Sequence, residues 1–463
     1  MHVTISSIIR IDEPTPQIRA WCKEFLTVTN PEYTRRLRMG LWTGRTPASL
    51  SLYETRGNSL ILPYGTLRDI LPMLKDSFVT SELTNDTVID FPQNVSLYDY
   101  QRIAVDACVA KVFGILQSPA GSGKTQMGIA LIERLKKPTL WLTHTKDLLQ
   151  QSYDRAKQYI PESMLGIITA GKINMGEGIT FATVQTMCRL DLNQYRDCWD
   201  VIIVDECHRI HGAPTSITQF YKVLNTLKAR HKYGLSATVH RSDGMIAATY
   251  ALIGKEAYVV PAQAVADRTM QIAIRPIATD TPPSLSYLGT DGMIQYSKLI
   301  NYLCSDPERN KLISTWITAM HAHSCLILSD RLEQLETLMH MLPPELQQDA
   351  VMVSGRMVTK KERTEREQAL EDMRQGKKKY LFATYSLCKE GLDIPRLDRL
   401  FLATPQKDYA VITQSIGRVA RTFEGKREPI VYDFVDTNIS IMNKFYKERC
   451  RTYKKCDCRF IGE

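Results

Sequence analysis

Short apolar runs alternate with amphipathic stretches over most of the chain, and this alternation is the main guide to its fold. From residue 93 onward, each apolar run is followed by a segment whose apolar positions recur with helical spacing. Because strands and helices in this order form parallel sheets with crossover helices, the pattern predicts α/β domains covered on both sheet faces. The predicted strands are 113–116, 139–143, 165–169, 179–183, 201–204 and 233–236 in a first group, and 325–328, 350–353, 380–383, 399–403 and 429–434 in a second.

A less regular stretch separates the two groups of strands. Residues 261–307 contain Pro282, Pro283 and several glycines, which is typical of a connector that leads into a further domain. We therefore predict one α/β domain over residues 93–262 and a second over residues 263–463. The second is expected to end in a basic, solvated tail from Lys444 to Arg459.

Residues 1–92 do not follow the alternation and predict a small α+β accessory domain. An amphipathic helix is predicted over 18–26, and the runs 49–54 and 59–65 predict a hairpin around Gly57. A cluster of arginines with aromatic side chains is typical of a surface that holds a nucleic-acid backbone, and equally typical of a solvated face beside a small core. The cluster comprises Tyr33, Arg35, Arg36, Arg38, Trp42 and Arg45.

Composition narrows the class of protein. The 463 residues carry 59 lysines and arginines against 50 acids, and the formal charge of +9 mildly favours a polyanionic partner. The N-terminus lacks the basic and apolar segments of a signal peptide, and no apolar run approaches the roughly 20 residues of a membrane span. We therefore expect a cytoplasmic protein, in the host cytoplasm if the source is viral, that works without a membrane.

Eleven cysteines are scattered along the chain, several within predicted core elements, which indicates reduced thiols rather than a disulfide framework. Cys450, Cys456 and Cys458 lie close together in sequence and could bind zinc with a fourth ligand from elsewhere. They form no Cys-x-x-Cys pair and no histidine follows them, so a metal-free basic tail is the favoured interpretation.

The clearest chemical motif runs from Ser118 to Thr125, after an apolar run and before a predicted helix. Strand, glycine-rich loop and helix together are the context of a phosphate-binding loop, because glycines let backbone N–H groups turn onto an anion at a helix N-terminus. Lys124 is expected on the β- and γ-phosphates of a nucleotide, and the Thr125 hydroxyl on Mg²⁺. The other loop residues expected to bind the nucleotide are Pro119, Ala120, Gly121, Ser122 and Gly123.

A second motif supplies the acids that such a site needs. Asp205 and Glu206 follow the apolar run 201–204, at the carboxyl edge where open α/β sheets bind ligands. Asp205 is expected to hold Mg²⁺, and Glu206 to orient and deprotonate the attacking water. Two acids that simply end a strand are the alternative, which the presence of the phosphate-binding loop disfavours.

These motifs and their order resemble the superfamily 2 helicases and translocases. Asp205-Glu206-Cys207-His208 is similar to the Asp-Glu-x-His signature of that family, and the resemblance extends over about residues 95–436. The further motifs are Gln101, then Ser236-Ala237-Thr238, then Gly391 with Asp393, and finally the run from Gln414 to Arg421. The resemblance implies two RecA-like domains in tandem, with ATP and Mg²⁺ held in a cleft between them.

The resemblance also implies a role for the matched residues of the last motif. Arg418 and Arg421 are three apart and share one helical face, so both can point toward one site. They would act as arginine fingers, because the transferred phosphoryl group spreads negative charge that cations stabilise. Asp393 and Gln414 would help to hold them.

The remaining matched residues divide between nucleotide recognition and coupling. Gln101 would recognise adenine, and Gly391 would lie at the nucleotide with Asp393. Ser236 and Thr238 would link hydrolysis to strand movement.

Further residues at predicted strand ends are candidates for gripping DNA, because hydroxyls and amides there suit phosphate contacts that carry no sequence information. Each could equally cap a helix. The candidates carried over from the family are Thr143, His144, Thr183, Gln185, Ser329, Arg331 and Thr384.

Two local features narrow the resemblance. The stretch after Thr238, with Arg241 and Asp243, is similar to the Arg-Glu-Asp element of the helicase group that includes XPB, and is expected to take part in coupling. The N-terminal unit, with its Trp42-Thr43-Gly44-Arg45 and Leu62-Pro63-Tyr64-Gly65 segments, resembles the accessory domain of phage recombination helicases of the UvsW type.

This resemblance implies an ATP-dependent DNA helicase that acts as a monomer on branched, forked or single-stranded DNA. It would migrate Holliday junctions, reverse forks and translocate 3′ to 5′. An RNA helicase and a duplex DNA translocase that does not separate strands are the alternatives within the family. A DNA-binding clamp in which ATP is structural is the alternative from a different class.

Overall fold

The computed structural model describes residues 1–462 apart from 76, 84, 120, 170, 240–243, 355–359, 390, 391 and 393. The chain divides into two compact units. One comprises Met1–Pro119 and Gly123–Pro261, and the other comprises Ala120–Ser122 and Ala262–Glu463. In the described part of the chain, none of the helices combines the length and apolar character that crossing a membrane requires.

The N-terminal part of the first unit contains a mixed sheet. Its strands lie in the order β5-β6-β2-β1-β7, with β1 and β7 parallel and the other neighbours antiparallel. The strands are β1 (His2–Ile5), β2 (Ile8–Asp12), β5 (Glu54–Arg56), β6 (Ser59–Pro63) and β7 (Phe78–Ser81). Beside them lie α1 (Pro16–Phe25), β3 (Thr27–Thr29), α2 (Pro31–Arg38), β4 (Ser49–Ser51) and α3 (Leu67–Ile70).

The predicted N-terminal hairpin is partly wrong. Strands β5 and β6 do pair around Gly57, with Arg56 opposite Ser59. Residues 49–51 leave this hairpin and pair instead with β3. The chain bends at Leu52, whose N–H donates to Leu26 O at 2.7 Å and whose side chain is buried, so one apolar run serves two sheets.

A larger sheet forms the rest of the first unit. Its order is β11-β10-β12-β9-β13-β14-β8-β15, and its neighbours are parallel except for β11. The strands are β8 (Gly114–Gln117), β9 (Thr139–Thr143), β10 (Leu165–Thr169), β11 (Lys172–Ile173), β12 (Ile179–Thr183), β13 (Val201–Asp205), β14 (His231–Ser236) and β15 (Glu256–Val259). The helices are α4 (Asp99–Lys111), α5 (Lys124–Leu135), α6 (Lys146–Ala156), α7 (Val184–Arg189), α8 (Gln219–Thr226) and α9 (Ile246–Ile253).

The second unit contains a parallel sheet in the order β18-β19-β17-β20-β21-β16-β22. The strands are β16 (Ala273–Ala278), β17 (Cys325–Ser329), β18 (Ala350–Val353), β19 (Tyr380–Thr384), β20 (Arg399–Leu402), β21 (Ile430–Val435) and β22 (Arg459–Phe460). The helices are α10 (Tyr296–Ser305), α11 (Pro307–Ala319), α12 (Leu332–His340), α13 (Pro344–Gln347), α14 (Lys360–Gln375), α15 (Tyr385–Lys389), α16 (Tyr409–Val419) and α17 (Ser440–Lys455).

The predicted α/β strands are confirmed, each to within two residues at either end. Residues 261–307, predicted as the connector and entry into the second domain, also contain a strand that was not predicted, because β16 lies there between β21 and β22. Arg275 and Pro276 interrupt its apolar pattern, and the missing N–H of proline is unusual in an interior strand, so the sequence hid it.

The predicted solvated tail is also wrong. Residues 440–455 form α17, whose Met442, Phe445 and Tyr453 are buried. The Arg449 Nε donates to Asp433 Oδ2 at 2.8 Å, and the Tyr453 hydroxyl donates to the same oxygen at 2.7 Å. Apolar side chains spaced along one helical face therefore dock this basic segment onto β21.

Within the first unit, the N-terminal sheet is joined to the larger sheet around a buried lysine. Lys232, on β14, is fully buried, and its ammonium donates to Ser7 O at 3.2 Å and Leu224 O at 2.7 Å. It also lies 5.1 Å from the centre of the Tyr64 ring. Burial lowers the pKa of Lys232 to about 7.

The Leu62-Pro63-Tyr64-Gly65 turn serves the same junction. The Tyr64 hydroxyl donates to Arg230 O at 2.8 Å. A Cβ at Gly65 would lie 2.5 Å from Tyr250 O, so only glycine permits this approach to the end of α9. The turn is buried and therefore packs the two sheets together.

The buried lysine predicts a pH dependence of stability. Between about pH 7 and its ordinary value near 10.4, Lys232 is protonated in the unfolded chain but neutral in the fold, so stability should rise with pH. Relative to Lys232→Met, the wild type should gain up to about 1.4 kcal/mol of unfolding free energy per pH unit in this window. Urea unfolding at pH 7, 8 and 9 measures it. Lys172→Met, at an exposed lysine of the same sheet, is the control, and the same pH slope in the wild type and Lys232→Met would contradict the prediction.

Candidate active site

The phosphate-binding loop has the backbone that its sequence predicts. Strand β8 ends at Gln117, α5 begins at Lys124, and Gly121 and Gly123 have φ of +82° and +81° in the left-handed region. The Ser118 N–H donates to Ser236 O at 2.9 Å, which ties the start of the loop to the end of β14. Lys124 and Thr125 thus open a helix behind two glycines, as an anion site requires. Ala120 lies outside the described residues.

Gln101 lies directly against this loop. Its side chain is buried in the first turn of α4, where Oε1 accepts the Tyr98 N–H at 3.0 Å. Its Nε2 lies 2.5 Å from where a Cβ on Gly123 would be. The structure therefore brings the predicted adenine-binding glutamine to the phosphate-binding loop, while its contact with adenine stays a prediction.

The two acids lie side by side at the carboxyl end of β13. Asp205 is buried, and the Glu206 N–H donates to Asp205 Oδ1 at 3.0 Å, with Glu206 in the left-handed region at φ +51°. Burial, and then repulsion from Glu206, raise the pKa of Asp205 to about 7, while Lys124 opposes the rise. Charge crowded in this way favours a nearby cation.

These donors fit Mg²⁺. In the described part of the chain, histidine, cysteine and acid side chains do not gather into a group of three that could hold a metal. A magnesium ion commonly takes one or two protein oxygens and completes its shell with phosphate and water. Asp205 and the Thr125 hydroxyl supply oxygens of that kind.

The three C-terminal cysteines were the candidates for zinc. Among the described residues, Cys450, Cys456 and Cys458 do not belong to a group of three such side chains that could hold a metal.

A chain of contacts links the acids to the Ser236-Ala237-Thr238 motif. The His208 Nδ1 lies 3.2 Å from Glu206 Oε2 and 3.0 Å from Ser236 Oγ. The Ser236 hydroxyl donates to Thr238 O at 2.5 Å and accepts the Thr238 N–H at 3.2 Å. Since the Ser236 hydroxyl donates to Thr238 O, we assign the His208 Nδ1 as the donor toward Ser236, and Glu206 Oε2 lies within ion-pair distance of the same nitrogen. His208 was not among the predicted site residues, although it is the last residue of the matched Asp-Glu-x-His signature and could have been chosen on that ground. Arg241 and Asp243 lie outside the described residues.

The predicted grips of the first unit fall on two neighbouring strands. Thr143 and Thr183 are opposite each other where β9 and β12 end. Both hydroxyls have partners within the protein, since Thr143 donates to Thr145 O at 3.0 Å and Thr183 accepts the Thr186 N–H at 3.2 Å as the cap of α7. Contact of these residues with DNA stays a prediction.

His144 and Gln185 lie beside that pair. The Gln185 Nε2 donates to His144 O at 2.9 Å. Burial, with the nearby charge of Arg209, lowers the pKa of His144 to about 4, so the ring is neutral at neutral pH. A neutral ring offers a hydrogen bond rather than a charge to any phosphate.

The second unit repeats this arrangement. Ser329 and Thr384 are opposite each other at the ends of β17 and β19. Ser329 is buried and bonded to Gln334 Oε1 at 2.7 Å, and the Thr384 hydroxyl lies 2.9 Å from Ser386 Oγ. The Arg331 Nε donates to Asn301 Oδ1 at 2.6 Å. Their role as DNA contacts also stays a prediction.

The arginine motif lies on α16 and just beyond it. Gln414 is buried, Arg418 lies in the last turn, and Arg421 follows the end of the helix. Lys426, which sequence reasoning missed, donates to Val419 O and Pro395 O at 2.8 Å and to Arg421 O at 2.7 Å. These bonds hold the backbone that carries Arg421. Gly391 and Asp393 lie outside the described residues.

Comparisons with known proteins match both halves of the chain. Residues 94–241 match the family described as Type III restriction enzyme, res subunit, and residues 308–423 match the Helicase conserved C-terminal domain. The chain is similar to the putative ATP-dependent RNA helicase L396 of Acanthamoeba polyphaga mimivirus, with 27% identity over 74% of this chain. The match spans 64% of that relative, which is less than two thirds of its length.

Two further comparisons extend over most of the chain. The DNA 3′-5′ translocase XPB2 of Sulfurisphaera tokodaii is 23% identical over 77% of this chain and 87% of that protein. A structure of S. cerevisiae Dbp5 bound to RNA and ADP BeF3 covers 86% of this chain and 93% of its own, with a TM-score of 0.55 and 15% identity. At that identity the likeness concerns the fold, which is two RecA-like α/β domains in tandem.

The loop geometry predicts the effect of replacing Gly123. In Gly123→Ala the new Cβ would meet the buried Gln101 amide and strain a left-handed backbone. We expect ATP affinity to fall at least about tenfold, measured with a fluorescent ATP analogue. Gly171→Ala is the matched control, because open space surrounds that glycine. Equal affinities in the two variants would show that the loop tolerates the Cβ.

Proposed function

The chain belongs to the superfamily 2 helicases, and from this membership we propose that it hydrolyses ATP to move along DNA and remodel branched DNA. The reactions proposed are branch migration, fork reversal and 3′ to 5′ unwinding in recombination, repair or replication. The chain of contacts from Glu206 through His208 to Ser236 is the observation that favours a motor over a static ATP-bound clamp.

The proposed hydrolysis uses residues in defined roles. Lys124 and the loop N–H groups hold the phosphates, and Glu206 orients and deprotonates the attacking water. Magnesium, held by Asp205 and Thr125, neutralises charge on the phosphates when bound. Arg418 and Arg421 supply the positive charge that the leaving phosphoryl group needs.

The proposed coupling starts at the water-activating acid. The His208 Nδ1 lies close to both Glu206 and Ser236, so a change in the charge around Glu206 during hydrolysis alters the hydrogen bond between His208 and Ser236. The Ser236 hydroxyl in turn accepts the Thr238 N–H, and the Ser236 carbonyl accepts the Ser118 N–H at the start of the phosphate-binding loop. A change from bound ATP to bound ADP can therefore alter the hydrogen bonds at the end of β14 through neighbouring side chains, without a long-range movement.

DNA is proposed as the substrate because of the Asp-Glu-Cys-His form of the acid motif and the N-terminal unit. The Sulfurisphaera tokodaii relative is named a DNA translocase, which supports DNA and also leaves movement without strand separation as a candidate. The viral relative is named a putative RNA helicase, so RNA is the second candidate substrate.

Substrate-dependent ATP turnover tests the function. We expect branched or single-stranded DNA to stimulate turnover, and Glu206→Gln to reduce the stimulated rate at least about 100-fold, since it removes the general base. Turnover is measured with no polymer, single-stranded DNA, duplex, a four-way junction and single-stranded RNA.

Each other outcome has a defined meaning. Stimulation by RNA alone would replace DNA by RNA in the proposal. Stimulation by duplex without separation of a labelled fork would indicate a translocase. Turnover that ignores every polymer would refute the motor.

Replacing Ser236 tests the coupling separately. Ser236→Ala removes the hydroxyl between His208 and Thr238 but leaves the acids in place. We expect ATP turnover within about threefold of wild type and unwinding of forked DNA reduced at least about tenfold. Ser314→Ala is the control, because that serine is also largely buried and bonds a carbonyl, Met341 O. Parallel loss of both activities in Ser236→Ala would mean that the serine supports hydrolysis itself.

A further inference from the structure

Residues 30–48 form a closed excursion between β3 and β4, here called the 30–48 loop. Its two ends are tied together, because the Asn30 N–H donates to Ala48 O at 2.9 Å and the Asn30 Nδ2 to Pro47 O at 2.8 Å. Helix α2 forms the outgoing half, and Asn30 also caps it by accepting the Glu32 N–H at 3.0 Å. The two ends of the 30–48 loop are therefore held together by hydrogen bonds, and the loop is not a free linker.

The 30–48 loop carries four arginines against one acid. Glu32 engages two of them, since the Arg35 Nε and the Arg36 Nε each lie 2.8 Å from a Glu32 oxygen. Arg38 and Arg45 are exposed, and neither has a hydrogen-bond or ion-pair partner among the residues that the structure describes. Two guanidinium groups are thus available for an external anion.

Trp42 lies at the tip of the loop with 83% of its surface exposed. Its six-membered ring covers Gly44, where a Cβ would lie 2.6 Å from Cζ3. The Arg36 Nη1 donates to Trp42 O at 3.3 Å, and the Thr46 N–H donates to Thr43 O at 2.9 Å. The indole is therefore supported from one side by backbone and open on the other.

A supported, exposed indole in the same short loop as two exposed guanidinium groups has the chemistry of a stacking platform. An unpaired base stacks on an aromatic ring whatever its identity, and arginines bind the phosphates that flank it. Duplex DNA does not offer such a base, because its bases already stack on each other. A fork with a single-stranded arm does.

We propose that the 30–48 loop binds the single-stranded side of a DNA branch point, with Trp42 stacked on an unpaired base and Arg38 and Arg45 on phosphates. This proposal rests on the proposed action on branched DNA and adds the residues that recognise the branch. It assigns the loop to recognition of the DNA rather than to ATP hydrolysis.

Binding of forked DNA tests the proposal with the full chain. Trp42→Ala should weaken binding of a fluorescein-labelled fork about tenfold, measured by anisotropy, while Trp42→Tyr should restore most of it because a phenol ring still stacks. Phe78→Ala is the matched control, since Phe78 is 71% exposed in the same N-terminal region but stacks on His2. ATP turnover without DNA should be the same in all variants.

Two further readouts separate stacking from charge. Forked DNA should protect a tryptophan from acrylamide quenching in the wild type but not in Trp42→Phe. Arg38→Gln and Arg45→Gln should each reduce the slope of log affinity against log salt by about one.

The outcomes distinguish this proposal from the one on which it rests. Fork binding and DNA-stimulated turnover in the wild type, with no loss in Trp42→Ala, would overturn the role of the loop and leave the motor intact. Equal weakening in Trp42→Ala and Phe78→Ala would also overturn it. A wild type that binds neither forked nor single-stranded DNA would overturn both proposals.

Discussion

The register between β13 and β14 decides what the nucleotide site can contain. The strands run parallel with Asp205 opposite Leu235, so both end at the same edge of the sheet. Glu206 and Ser236 consequently emerge close enough for one imidazole, that of His208, to bridge them. Strand β8 lies on the other side of β14 and delivers the phosphate-binding loop to the same edge. A shift of one residue between β13 and β14 would separate the acid from the serine and turn alternate side chains into the opposite face.

Buried basic side chains provide a second constraint, because several of them tie elements together within each unit. Lys232 joins the N-terminal sheet to β14 in the first unit. In the second, Arg309 on α11 pairs with Asp436 at 2.7 Å and donates to Ala403 O at 2.7 Å, while Arg449 pairs with Asp433. Each of these buried polar groups would be costly without partners, and its carbonyl or carboxylate partners make it specific for one packing arrangement.

Lys426 uses the same device close to the functional residues. Its three bonds collect the carbonyls of Pro395, Val419 and Arg421, which come from two separate segments. The ammonium has three protons, so it can donate to all three carbonyls at once, and one of them, that of Val419, lies in the last turn of α16, where a helix leaves its carbonyls unpaired. The orientation of the backbone at Arg421 therefore depends on a lysine outside the motif that names the arginine.

The misread segments share a physical cause. The run around Leu52 looked like one strand because apolar periodicity does not show where a strand changes partner. Strand β16 was hidden by a charge and a proline in its centre, which its parallel neighbours tolerate. The segment 440–455 looked like a tail because its many basic residues outnumber the few apolar ones that dock it. In each case long-range pairing outweighed the local pattern.

The sequence by itself determined the α/β class, the strand order along the chain, the phosphate-binding loop and the acid pair, because these depend on local periodicity and on residue types at fixed spacing. Only the tertiary structure decided that Gln101 lies against Gly123, that His208 bridges Glu206 and Ser236, and that Trp42 stands exposed on Gly44. The positions of these residues relative to one another follow from sheet register and loop closure. A short stretch of sequence does not specify either of these, because both depend on packing between distant segments.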